Sequence, residues 1–327
     1  YEPALLEVLN LLNDTSARVQ LFTVEALGKL ASPEAFEDLV NLLEQTEDSD
    51  PAMRHAISLA LSRLNDEGRL KALQGHPDQN VRIGAVVALR RLQSSEVAVF
   101  LADKHPLVVT EAARAVHDDF SIPEALPALA DILETTTTGP EAFLRRAINA
   151  NLRLGKAENA RLLASFSGNE AVPVAMRIEA LYSLAYWPEE VLLDRVDNRY
   201  RELAARNVED ARAALMPYYS GLLKVSDQEV KIAAIFTVGN IRLQAAEPRL
   251  LSLFNNKKEG IEVRKEVLKA LVKLESRQLE SVLNLALSDQ NRNMRETAQS
   301  LLGEIQLPEP VKVSMLETIL NHNSIVE

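Results

Sequence analysis

Apolar and small residues recur along the chain at a spacing typical of helices. The segment from Val81 to Leu92 places them at relative positions 0, 4, 7, 8 and 11, with a basic residue at position 1. On a helix with 3.6 residues per turn these positions form one stripe. The segment therefore predicts a helix that buries one face.

The same pattern occurs in eight further places. The nine copies begin at Val19, Met53, Val81, Val108, Phe143, Met176, Val230, Val263 and Met294. Most copies begin about 27 to 35 residues after the previous one, a period that suits one helical hairpin and is too short for a compact domain. A second set of apolar stripes, such as those at 5–12 and 36–43, lies between the copies. Each repeat is therefore predicted to be a pair of antiparallel helices.

The second helix of most repeats begins with an apolar residue followed by a cation, and several repeats carry Asp five residues earlier. The cations are Arg54, Arg82, Arg177, Lys231, Arg264 and Arg295, and the acids are Asp14, Asp48, Asp103 and Asp289. A turn carboxylate can accept backbone N–H groups and also meet a cation of the neighbouring repeat. We therefore predict a ladder of ion pairs along the stack. Gln20 and Val109 interrupt it where they replace the cation.

This arrangement resembles the HEAT repeat family, in the short form found in many bacterial proteins. The resemblance implies an all-α fold, a right-handed α-solenoid of about nine to ten HEAT-like helical hairpins that covers residues 1–327. It is specific for the fold and says little about function, because function depends on sites rather than on folds.

Two runs, 111–118 and 145–155, are also similar to the HEAT region of certain large exported bacterial proteins. Those proteins combine a β-propeller of the sugar-dehydrogenase kind with a c-type haem domain. The resemblance implies a periplasmic or otherwise exported chain, with catalysis and haem in other domains. The start at Tyr1 without Met, and an end inside a tenth repeat, also favour a fragment of a longer protein.

The largest irregularity lies between the copies at Met176 and Val230, which are 54 residues apart. We predict an insertion over residues 188–207. Four aromatic residues lie in or beside it, and we assign them to partner binding: Tyr182, Tyr186, Trp187 and Tyr200. Aromatic side chains beside an insertion are typical of interaction hot spots, and equally of side chains that pin a long loop to its support.

Composition excludes several kinds of chemistry. The absence of Cys removes disulfides, thiolate catalysis, cysteine zinc sites and covalently attached c-type haem. The chain has no glycine-rich phosphate loop, no nucleophile elbow and no HExxH segment. His117, Asp118 and Asp119 are three potential metal ligands in a row, but consecutive helical residues point in different directions. We expect no catalytic, metal-binding or cofactor-binding residue and no cofactor.

Charge and hydropathy argue against nucleic acid and membranes as partners. A net charge of -11 argues against a general nucleic-acid binder, which needs an excess of Lys and Arg against phosphate. Basic residues on several second helices alternate with acidic ones, a pattern more typical of salt bridges between repeats: Arg90, Arg91, Arg114, Arg145 and Arg146. No apolar stretch approaches the roughly 18 residues that a membrane span requires.

Three functions remain open. The favoured one is a non-catalytic scaffold that binds protein, either another domain of the parent chain or a separate partner. The second is an enzyme built on a HEAT frame, such as a DNA glycosylase or a bilin lyase, that uses the concave face. The third is a passive spacer between the domains of a redox protein.

Overall fold

The computed structural model describes residues 2–46, 50–118 and 122–321, most of which are helical. Contacts divide the chain into two compact units, residues 1–150 and 151–327. In unit 1 the α-helices are α1 (Glu2–Asn10), α2 (Ala17–Leu30), α3 (Phe36–Gln45), α4 (Pro51–Leu64), α5 (Glu67–Ala72), α6 (Gln79–Arg91), α7 (Pro106–His117), α8 (Leu126–Asp131) and α9 (Glu141–Leu154), which contains the boundary.

Over residues 151–321, unit 2 continues with ten helices and two short strands. They are α10 (Ala157–Gly168), α11 (Val174–Ala185), β1 (Val191–Leu193), β2 (Tyr200–Leu203), α12 (Val208–Leu215), α13 (Tyr219–Leu222), α14 (Gln228–Asn240), α15 (Glu247–Asn255), α16 (Ile261–Lys273), α17 (Leu279–Leu287), α18 (Arg292–Glu304) and α19 (Glu309–Asn321). Short 3-10 segments lie at Leu11–Asn13, Pro33–Ala35, Leu73–Gly75, Ser95–Ala102, Pro123–Ala125, Ile132–Glu134 and Gln244–Ala246.

Each predicted copy of the repeat lies on one helix, and we call these the second helices: α2, α4, α6, α7, α9, α11, α14, α16 and α18. In unit 1, α2 packs on α4, α4 on α6 and α6 on α7. In unit 2, α11 packs on α14, α14 on α16 and α16 on α18. The prediction of an all-α solenoid is confirmed, whereas a single continuous array over both units stays a prediction.

The apolar stripe is the buried face of each second helix. In α6, Val81, Ala85, Ala88 and Leu89 are fully buried. They bury apolar surface against the neighbouring helices, which is the main force that holds the hairpins together. Within the described residues, no helix has both the length and the hydropathy that a membrane crossing needs.

Carboxylates in the turns start several second helices. Asp50 accepts a hydrogen bond from the backbone N–H of Met53, at 2.9 Å. Asp227 does the same for the backbone N–H of Val230, at 3.0 Å. These N–H groups belong to the first turn of a helix and have no partner inside it, so the Asp side chains fix where the helix begins.

Two pairs of second helices approach each other very closely through small residues. A Cβ atom added to Gly28 would lie 2.9 Å from the Cα atom of Ala60. A Cβ atom added to Gly239 would lie 2.9 Å from the Cα atom of Ala270. The contacts α2–α4 and α14–α16 therefore depend on the missing side chain of glycine.

The segment between α11 and α12 forms an antiparallel β-hairpin. Val191 pairs with Leu203, and Leu193 pairs with Tyr200. The sequence pattern did not predict strands here, because three or four residues are too few for an alternating pattern to stand out. Packing of α10 on both α11 and α12 carries the stack past this segment.

Candidate functional site

The exposed side of the second helices presents side chains in rows. If the first apolar residue of each copy is position 0, positions 6 and 10 lie on the same side of successive helices. In unit 2 these positions form what we call the unit 2 face: Tyr182, Phe236, Lys269 and Ser300 at position 6, and Tyr186, Asn240, Lys273 and Glu304 at position 10. All eight are exposed or half-buried.

An aromatic cluster occupies the α11–α14 part of this face. The ring centroids of Tyr182 and Phe236 are 5.5 Å apart, with an interplanar angle of 83°. Tyr186 meets Phe236 edge-on at 6.2 Å. Lys273 places its ammonium group 5.0 Å from the centroid of Phe236. Edge-to-face rings with a nearby cation form a favourable and well-ordered arrangement.

Arg195 anchors the β-hairpin to this cluster. Its guanidinium carbon lies 5.7 Å from the ring centroid of Tyr182 and 5.2 Å from that of Tyr186. Its Nε donates to Glu179 Oε1 at 2.6 Å. Burial, together with the negative charge of Glu266, raises the pKa of Tyr182, so this phenol stays neutral. Tyr182 and Tyr186 therefore pin the insertion as well as contributing to the surface.

Trp187 must be removed from the predicted partner-binding residues. Its side chain is fully buried, and its indole Nε1 finds no hydrogen-bond partner in the part of the chain that the structure describes. The Arg206 guanidinium carbon lies 5.5 Å from the ring, and the Arg206 backbone N–H donates to the Trp187 carbonyl at 3.0 Å. Trp187 therefore fastens the base of the insertion to the core, and no partner can reach it.

Tyr200 lies on the outer side of the hairpin. Its side chain is 66% exposed, and its hydroxyl donates to Glu202 Oε2 at 2.9 Å. This hydrogen bond and the Glu202 charge raise the pKa of Tyr200. Leu192 and Leu193 are also about half exposed on the same hairpin. Of the four predicted aromatic contacts, Tyr200 is thus the most accessible.

A groove of about 600 Å³ runs between α16 and α18 on the unit 2 face. Its α16 wall presents Lys265, Lys269 and Lys273, one helical turn apart. Its α18 wall presents Glu296 and Glu304 among smaller polar side chains. Val272 and Leu301 contribute apolar surface. Such a groove can receive one edge of an extended segment or one face of a helix.

A similar groove, of about 490 Å³, lies between α2 and α4 in unit 1. Its residues occupy the same repeat positions as those of the α16–α18 groove. Glu25 and Leu59 lie at position 6 there, and Lys29 and Arg63 lie at position 10. The helices that build the array thus open the same kind of groove in each unit.

Two of the predicted ladder pairs are close enough to bond. Arg82 Nε donates to Asp103 Oδ2 at 2.7 Å, and Arg264 Nη2 donates to Asp289 Oδ2 at 2.7 Å. In each pair the cation of one second helix meets the carboxylate in the turn before the next second helix. Burial alone would raise the pKa of Asp289, but hydrogen bonds from Lys257 and the Asn291 N–H and the charge of Arg264 hold it well below its usual range.

Other ladder residues make the following contacts within the part of the chain that the structure describes. Arg177 Nε donates to the Ser167 carbonyl at 2.8 Å, and Arg295 Nη1 donates to the Asp289 carbonyl at 2.9 Å. Asp14 accepts from the Ser16 backbone N–H at 2.8 Å, and Arg54 is half-buried in α4. Asp48 lies outside the described residues. An additional pair joins Lys231 Nζ to Glu259 Oε2 at 3.1 Å.

A buried polar network in unit 1 joins α7 to α9. His117 Nε2 lies 2.8 Å from Asn149 Oδ1, and Arg146 makes two hydrogen bonds to Asp118, at 2.8 and 2.9 Å. Burial raises the pKa of Asp118, but hydrogen bonds from His117 and Arg146 outweigh it and leave the pKa well below its usual range. Of the three potential ligands in the sequence, His117 and Asp118 thus contact the neighbouring helix, and Asp119 lies outside the described residues. The described residues contain no group of three or more His, Asp or Glu placed to hold a metal ion.

The match to a family model agrees with this architecture. The model of the family described as HEAT repeats matches residues 3–75 and 215–303. No curated protein gives a significant match. Among solved structures, the crystal structure of an engineered protein from the Northeast Structural Genomics Consortium matches with 19% identity and a TM-score of 0.46. The alignment covers 91% of this chain and 88% of that one. None of these comparisons supports the narrower resemblance to exported propeller–haem proteins.

Proposed function

We propose that this chain, which carries HEAT repeats over residues 3–75 and 215–303, is a non-catalytic scaffold that binds a partner protein on its second helices. The partner is either another domain of a longer parent protein or a separate chain. Stacked helical hairpins create extended surfaces on which a few anchoring contacts supply most of the binding energy.

The observation that carries this proposal is the recurrence of the same groove. Consecutive second helices leave an open channel between α2 and α4 and again between α16 and α18, and both channels are lined by apolar and charged side chains. Interaction surfaces likewise combine apolar and polar groups.

The charged groups of the α16–α18 groove favour binding over catalysis. Lys265 pairs with Glu262 at 3.0 Å, and Lys269 pairs with Glu266 at 3.2 Å, each one helical turn away. An acid–base site would instead bring together titratable groups whose surroundings push their pKa values apart. Paired surface charges of this kind contribute little to stability and remain available to exchange partners.

A peptide-display experiment with a matched pair of variants tests the proposal. Random peptides displayed on phage are selected against the purified chain and then tested against Ser300→Arg and Ser281→Arg. Both serines are exposed on helices, but Ser300 lines the α16–α18 groove and Ser281 lies on α17, away from it. We expect enriched peptides to lose binding to Ser300→Arg and to keep it with Ser281→Arg.

Equal binding of all enriched peptides to both variants would contradict the assignment of the groove. The enzyme alternative has its own cheap test in a gel-shift assay with labelled duplex DNA. A shift that weakens as salt rises would favour a DNA-acting protein.

A further inference from the structure

Positive and negative charges are segregated within unit 1. Residues 1–150 contain 23 Asp and Glu but only 13 Lys and Arg. Ten of the 13 cations nevertheless lie on the second helices α2, α4, α6, α7 and α9 as bounded above, together with only three of the acids, Glu25, Glu111 and Glu141. The second-helix side of this acidic unit is therefore basic.

The segregation is most complete on α4 and α6, which contain no acidic residue at all. Some of their cations are used inside the protein: Arg82, for example, is bound to Asp103. Others lie outward at position 10. Lys29, Arg63 and Arg91 hold this position on three successive second helices, and all three are exposed.

These three cations border one continuous surface. Lys29 and Arg63 line the α2–α4 groove together with His55. Arg91 Nη2 lies 3.5 Å from His55 Nε2, which brings the α6 cation to the same place. Among the described residues, no carboxylate oxygen lies within 4.0 Å of Lys29, Arg63 or Arg91. The row thus holds three positive charges that no described acid neutralises at close range.

Apolar side chains lie beside this row. Leu21 and Leu59 line the α2–α4 groove. Ile83 and Val87 line a smaller pocket between α4 and α6, which also includes His55. Among the residues that the structure describes, Glu25 is the one acidic side chain that lines either pocket. A ligand that matches this surface needs apolar groups to fill the grooves and negative charges along one edge.

We propose that the second-helix face of unit 1 binds an acidic segment of a partner protein, with carboxylates on the row Lys29, Arg63 and Arg91 and apolar side chains in the adjoining grooves. This inference rests on the proposed scaffold function and gives the chemistry of the partner. Three helices packed at about 10 Å make a row about 20 Å long, which an extended segment of about six residues can follow.

The test uses fluorescein-labelled peptides of about ten residues, enough to cover the row. In one peptide Glu alternates with Leu, and in two controls Gln or Lys replaces every Glu. Binding is measured by fluorescence anisotropy against the parent chain, the triple variant Lys29→Gln, Arg63→Gln, Arg91→Gln, and the control Lys104→Gln. Lys104 is an exposed cation in the turn before α7, outside the second helices.

We expect the Glu–Leu peptide to bind best and to bind more weakly as salt screens the charges. The triple variant is expected to bind it about tenfold more weakly, since three exposed ion pairs are lost. Lys104→Gln should match the parent chain. Circular dichroism and the thermal midpoint should show that the triple variant remains folded.

Other results would overturn the inference. Equal binding of the Glu–Leu and Lys–Leu peptides, no binding of either, or an undiminished affinity of the triple variant would each exclude an acidic partner at this row. Tighter binding of a short DNA duplex, lost in the triple variant, would assign the row to nucleic acid. Salt-sensitive self-association that the triple variant abolishes would assign it to a second copy of the chain. The Ser300→Arg experiment concerns unit 2, so a failure of the scaffold function and a failure of the partner chemistry remain distinguishable.

Discussion

Arg264 and Asp289 connect two successive repeats through a hydrogen bond of 2.7 Å, and both side chains are buried. Asp289→Ala would leave the Arg264 guanidinium buried without its carboxylate. Since an uncompensated buried charge is costly, we expect the free energy of unfolding to fall by about 3 kcal/mol. Urea unfolding followed by far-UV circular dichroism measures this change.

Asp14→Ala is the matched control for that prediction. The Asp14 carboxylate accepts an exposed hydrogen bond from the Ser16 N–H, so its loss should cost about 1 kcal/mol or less. An equal loss of unfolding free energy in the two variants would show that the Arg264–Asp289 pair stabilises the fold no more than an exposed hydrogen bond does.

Stability should fall in acid because of Asp118 and Asp289. The pKa of each is below its usual range in the folded chain, whereas it is about 3.9 in the unfolded chain. Their contribution is therefore fully present above about pH 4 and is lost as the pH falls toward the lowered folded pKa. Asp118→Asn with Asp289→Asn should flatten the dependence of the urea midpoint on pH below about 4. A slope equal to that of the parent chain would disprove the role of these two carboxylates.

Gly239→Ala and Gly303→Ala should change stability in opposite directions. Alanine is the better helix former, so Gly303→Ala, whose new Cβ has no neighbour within 4 Å, should stabilise the chain by about 0.5 to 1 kcal/mol. At Gly239 the Cβ would press on the backbone of Ala270, and we expect a loss of about 1 to 3 kcal/mol. Thermal midpoints of the two variants provide the comparison, and stabilisation by both would show that α14 and α16 can separate at no cost.

Trp187 should matter for stability and Tyr200 should not. Trp187→Ala removes a fully buried ring and should cost about 3 to 5 kcal/mol. Tyr200→Ala changes an exposed side chain and should stay within about 0.5 kcal/mol of the parent chain. Because Trp187 is the only Trp, its fluorescence should also resist soluble quenchers until the chain unfolds. Ready quenching in the native state would mean that the ring is accessible.

The sequence predicted the helices well because their evidence is repeated. A stripe such as that of Val81, Ala85 and Leu89 occurs nine times, mostly at steps of about 27 to 35 residues, and every copy lies on a second helix. The contacts of Asp103 and Asp289 were predictable for the same reason. Each Asp lies at a constant position in its repeat, and that position determines which second helix the turn faces.

The surface was harder to predict because burial depends on packing across helices. Trp187 and Tyr200 are both aromatic residues near one insertion, yet one is buried and the other exposed. No local pattern separates them, because Arg206, which contacts Trp187, follows the second strand of the hairpin and lies 19 residues further along the chain. The recurrence of a cation at position 10 was already visible in the sequence. Lys29, Arg63 and Arg91 share it, but their common face became visible only when the helices were placed side by side.

The contact of α10 with both α11 and α12 has a consequence for how this chain can vary. Because α10 contacts the helices before and after the hairpin, the hairpin itself is not needed to position them. Lengthening a flexible connection costs only about 0.6 kcal/mol for each doubling of its length. The segment between α11 and α12 is thus a place where evolution, or a protein engineer, can exchange one inserted segment for another while the repeats on either side keep their spacing.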